Sequence, residues 1–171
     1  LRYDAAAEPG GATMPDSLYD TDILSWSERQ ADLLRRLASG ERLNETIDWE
    51  NVIEEVESVG RSELHGCESL LLQALIHLQK LHLTPNSRSV SHWRGEVVTF
   101  LADARRYFSP SMRQRIDLAA LYAQALHRLQ VEARGKRDPR LPATCPFVLD
   151  DLLVAEPDIE ALLAKVGAST A

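Results

Sequence analysis

Residues 48–83, DWENVIEEVESVGRSELHGCESLLLQALIHLQKLHL, constrain this chain more than any other stretch. Their apolar side chains recur at the three- and four-residue spacing of an amphipathic helix, with no strand-like alternation. Asp48 suits an N-cap, Ile47 before it is placed to pack on Val52, and Pro85 ends the helix by disfavouring helical geometry at Thr84. At about 36 residues and ~1.5 Å per residue, the helix spans roughly 54 Å. An element that long outruns its neighbours. Either it bends near Gly60 or Gly66, the two helix-weakening positions inside it, or one half packs against a second copy of the protein.

The other segments read as shorter helices. From Asp22 onward, Ile23, Trp26, Leu33, Leu34 and Leu37 keep helical spacing with Gln30 on the same stripe, and Ser39-Gly40 supplies a stop. A third helix carries Trp93, Val97, Phe100, Leu101, Ala104, Tyr107 and Phe108 on one face. A fourth is expected to start at Pro110 with Ser109 as its cap, to bury Leu118, Leu121, Tyr122, Ala125, Leu126 and Leu129, and to close at Gly135. GKRDPRLPAT is a loop, and Pro146 and Pro157 each open a short helix. The expected fold is therefore all-α, with four main helices in a bundle-like arrangement, one of them long, and short C-terminal helices. Residues 1–16, rich in Ala, Gly and Pro, are expected to form a flexible tail and residues 17–171 a single helical domain. Met14 suggests that residues 1–13 lie upstream of the natural start.

Lys and Arg total 19 against 26 Asp and Glu, a net charge of −7, which is the wrong sign for a general nucleic-acid backbone binder. The sum conceals an asymmetry. Residues 45–68 hold eight acids and only Arg61 as a base, whereas residues 88–115 hold six arginines and only Glu96 and Asp103 as acids. Two cysteines, Cys67 and Cys145, form no CxxC pair and no disulfide framework, which fits a reducing compartment. No apolar run reaches membrane-spanning length, so the expected location is the cytoplasm.

Clustered glutamates on helices raise the idea of a di-iron carboxylate bundle, but its Glu-x-x-His motif is absent. Glu54 and His65 point away from the stripe centred on Val56 and belong to a solvated face. Glu63 differs, because the helical wheel sets it among Val56, Gly60, Cys67 and Leu70, where a carboxylate must be paired or shift its pKa unless it is exposed where the helix bends at Gly60. Arg94 or Arg88 is the expected partner. His92, beside Trp93 in SRSVSHWR, is the best small-anion candidate, helped by Arg88, Arg94 and the start of the third helix. The candidate polar cluster is thus Glu63, Arg61, Arg88, His92 and Arg94. His77 and Lys80 read as packing residues at the edge of the stripe. Cys67 falls on the apolar face and Cys145 precedes a proline, so neither is a convincing nucleophile. No motif indicates a cofactor, a metal or a catalytic residue.

Four blocks, YDTDILSWSERQADLLR, IDWENVIEEVESVGRSE, ESLLLQALIHLQKL with SRSVSHWR, and LPATCPFVLDDLL, occur in an order that resembles the bacterial family called domain of unknown function 29. EEVESVGRSE is the most specific part, and the similarity runs from about Tyr19 to about Leu153. The resemblance implies an all-helical bacterial protein and carries no activity, substrate or catalytic residue with it. The aromatic residue usual after the LQK segment is replaced here by Leu81-His82.

Two functional readings follow. The first is a non-enzymatic helical module that forms a homo-oligomer or docks another protein, drawing on the long helix and the opposed charges. The second is a small-anion or metal-binding protein, in one version an enzyme, with a site near Glu63 and the basic start of the third helix. The partners expected are a second copy or another protein, with no membrane and no nucleic acid; no small-molecule ligand is indicated.

Overall fold

The computed structural model describes residues 18–168. The expected tail and the question of a start at Met14 lie outside the described residues. Seven α-helices and no strand are present among the described residues: α1 (Leu18–Thr21), α2 (Ile23–Ala38), α3 (Trp49–Leu83), α4 (Val90–Tyr107), α5 (Leu118–Glu132), α6 (Leu149–Leu152) and α7 (Ile159–Ala168). The fold is all-α, with α2 to α5 as the four main helices. Contacts divide the chain into a unit ending at Glu57 and a unit beginning at Ser58.

The first unit is tied together by polar contacts around a small core of Trp26, Leu33 and Ile47. Asp22 caps α2 by accepting the Ser25 backbone N–H at 3.0 Å, and Gly40, at φ +86°, turns the chain after the helix in a conformation open to glycine. Asp48 is the node. Its carboxylate accepts the Trp26 indole N–H at 3.0 Å and the Asn51 side-chain amide at 2.8 Å, while its own N–H donates to the buried Gln30 at 3.0 Å. Tyr19 meets Trp26 edge-on at 4.9 Å and donates its hydroxyl to Glu55 at 2.7 Å. One residue, Asp48, therefore caps α3 as expected and also fastens α2 to its first turn.

In the second unit, α3 contributes Cys67, Leu71, Ala74, Leu75 and Leu78 to a core shared with Val97, Leu101 and Ala104 of α4, Leu121, Tyr122 and Ala125 of α5, Leu152 of α6, and Leu162 and Val166 of α7. Residues 84–89 reverse the chain, so α3 and α4 are antiparallel: Cys67 donates to the Ala104 carbonyl at 3.4 Å, and His77 stacks on Phe100 at 5.5 Å. The long loop after α5 is held by the Tyr122 hydroxyl, which donates to the Pro142 carbonyl at 3.1 Å. Arg140 anchors it again by donating to the Leu83 carbonyl at the end of α3, at 3.1 Å.

α3 runs without interruption through Gly60 and Gly66. One expectation needs correction. The fourth main helix does not begin at Pro110, which forms only a 3-10 turn, Pro110–Met112, with no capping bond from Ser109. α5 begins at Leu118, because Asp117 is the stronger cap and accepts the Ala120 N–H at 2.9 Å.

Candidate functional site

The five residues of the expected polar cluster do not converge. Antiparallel packing sets α3 residues of low number against the end of α4, as Gly66 beside Tyr107 shows. Arg61 and Glu63 thus lie towards the end of α4, while Arg88, His92 and Arg94 lie at its start, roughly 20 Å away along the helix. Arg94 pairs with Glu160 of α7 at 2.7 Å, and the His92 Nε2 lies 3.3 Å from Glu96. Arg88 is exposed and without a partner among the described residues. The expected Glu63 ion pair with Arg94 or Arg88 does not form, and Glu63 is exposed. A helical wheel cannot supply a neighbour to cover that face of α3.

Glu63 does line a cleft of about 280 Å³, with Gly60 and Leu64 on α3, Tyr107 at the end of α4, and Ser109, Ser111, Met112 and Arg115 on the turn that follows. Neither the Glu63 nor the Arg115 side chain has a hydrogen-bond or ion-pair partner among the described residues. The Ser109 and Ser111 hydroxyls bond to each other at 3.0 Å. The two glycines of α3 shape this cleft. A Cβ on Gly66 would lie 2.9 Å from the Tyr107 ring, so a hydrogen there lets the ring lie against the helix. A Cβ on Gly60 would meet nothing within 4 Å. Glycine in a helix interior costs about 1 kcal/mol relative to alanine. Packing does not call for it at Gly60.

Arg115, Tyr107 and the serine pair were not singled out as site residues by sequence. They reach Glu63 only through the α3–α4 hairpin and the 3-10 turn. The one available sequence signal is the pair of glycines three residues either side of Glu63.

A second polar group lies midway along the hairpin. The His77 Nε2 lies 3.5 Å from the Glu96 Oε2, the same oxygen that His92 approaches. Burial lowers the His77 pKa, the Glu96 charge opposes this, and the Lys80 and His92 charges reinforce it. The His77 Nδ1 is buried with no partner. Cys67 is fully buried and its thiol is pushed up to about 11 by burial; Cys145 is raised for the same reason. Both are inert thiols, in keeping with their sequence positions. Among the described residues no three His, Cys, Asp or Glu side chains are arranged to hold a metal.

A different kind of surface lies on the first turns of α3. Trp49, Ile53 and Val56 share one face and are 51%, 54% and 70% exposed. Their spacing of four and three residues makes a continuous apolar stripe open to solvent.

The profile of the family described as "Domain of unknown function DUF29" matches residues 18–156. A crystal structure of an alpha-helical protein of unknown function from Rhodospirillum rubrum is similar to this chain at 29% identity, with a TM-score of 0.65, covering 87% of this chain and 97% of the other. Among curated proteins none matches significantly.

Proposed function

The chain belongs to the DUF29 family, and from that premise we propose that it is a non-enzymatic helical interaction module that associates with a second copy of itself. The observation that carries this reading is the open stripe Trp49, Ile53 and Val56. Large apolar side chains aligned on one helix face are stabilised by being covered, at about 25 cal/mol per Å² removed from water. Charge supports the choice of a second copy. The stripe lies within the acidic section, while Arg88 and Arg105 of the basic section have no side-chain partner among the described residues. Opposed charges of this kind steer like chains together and lose strength as salt rises.

A bacterial and cytoplasmic setting belongs to the same proposal. It is supported by the free thiols of Cys67 and Cys145 and by the bacterial relative. No helix among the described residues is long and apolar enough to cross a membrane.

Light scattering on the full chain tests the reading. Association at micromolar concentration is expected, weakened by high salt and abolished by the double substitution Ile53→Asp and Val56→Asp. A strict monomer at high micromolar concentration and low salt would overturn it.

A further inference from the structure

Glu63 and Arg115 face one cleft from opposite elements, the first from α3 and the second from the turn after α4. They carry opposite charges and neither is neutralised by a described residue. Two such groups close enough to share a small cavity ordinarily collapse into an ion pair. Here they stand on separate elements and form no ion pair with each other. Ser109 and Ser111 line the same space with their hydroxyls bonded to each other, and a hydroxyl can both donate and accept. Gly60 adds a second, independent feature. It weakens α3, no contact or backbone angle requires it, and it lines the cleft at a point where a Cβ would meet nothing within 4 Å.

We propose that this cleft binds a small zwitterion of the α-amino-acid type, with Glu63 taking the ammonium group and Arg115 the carboxylate. A guanidinium grips a carboxylate through paired, charge-assisted hydrogen bonds, and a carboxylate accepts from an ammonium in the same strengthened way. A ligand carrying only one charge leaves the other wall uncompensated. Discrimination should therefore depend on both charges being present. This inference stands apart from self-association, which uses the exposed stripe on the first turns of α3.

Titration calorimetry on the full chain, with the twenty common L-α-amino acids and their N-acetyl and carboxamide derivatives, tests it. At least one free amino acid is expected to bind saturably at one per chain. Removing either ligand charge, or introducing Glu63→Gln or Arg115→Gln, is expected to weaken that binding by about tenfold or more. Gly60→Leu should abolish it while the circular dichroism of the helices is retained. Three outcomes would overturn the proposal: no amino acid binding at millimolar concentration, equal binding of the derivatives, or binding unaffected by Gly60→Leu.

Discussion

His77 holds its imidazole nearly parallel to the Phe100 ring, at an interplanar angle of 10°, with its Nδ1 closed off from solvent. Burial lowers its pKa most, with Lys80 and His92 acting in the same sense and Glu96 and Glu132 opposing. The unfolded chain therefore takes up a proton at higher pH than the folded one. The neutral ring contributes stability that is fully present above the ordinary histidine range, near pH 6.5, and is lost as pH falls towards the lower folded value. The thermal midpoint is expected to drop between about pH 7 and about pH 5. His77→Phe keeps the stack and should flatten that slope; an unchanged slope in the variant would assign the effect elsewhere. The polarity of this position was readable in the sequence as an edge-of-stripe histidine. Its direction of titration was not, because that depends on Phe100 and Glu96, which arrive from α4.

Helix boundaries were set by single capping residues, and Asp48 shows how much one of them holds. Hydrogen bonds from Asn51 and from the Trp26 indole lower its pKa, so the carboxylate form is the one that the fold uses. Its contribution is present above the ordinary carboxylate range and is lost as pH falls through the lowered folded value. Asp48→Ala is expected to cost about 1–2 kcal/mol, through the lost cap and the orphaned indole N–H. Chemical denaturation measures the loss, and a shift of the Trp26 indole N–H resonance locates it. Caps such as Asp22 and Asp48 were legible because the bond that each makes is local. Pro110 misled for the complementary reason: its fixed φ suits a helix start, but its neighbours supply no capping bond, and Asp117 supplies one. The amphipathic pattern of α3 was legible over its whole length. Only its second half is covered.

The two compact units differ in what they can support. Within residues 18–57 the buried side chains are Trp26, Gln30, Leu33 and Ile47 alone, whereas the second unit holds a continuous core from five helices. A segment of about 40 residues without disulfide or metal rarely buries enough surface to fold alone. We propose that residues 17–171 unfold as one domain. Calorimetry of the full chain should show a single transition, and a peptide of residues 14–57 should lack stable helix by circular dichroism. Two separate transitions would divide the chain instead.

Sequence by itself determined the helices, most of their ends, the charge asymmetry and the inertness of both cysteines, because each follows from local spacing, local capping or composition. The family was legible in the order of its motifs. Only the tertiary structure decided which faces were covered. The same periodicity that buries Leu71 and Leu75 leaves Val56 in water and Glu63 on the wall of a cleft, since burial depends on a neighbour from elsewhere in the chain. That neighbour is fixed by the antiparallel turn between α3 and α4, which sets Glu63 beside Tyr107 and Arg115 and far from Arg88, His92 and Arg94.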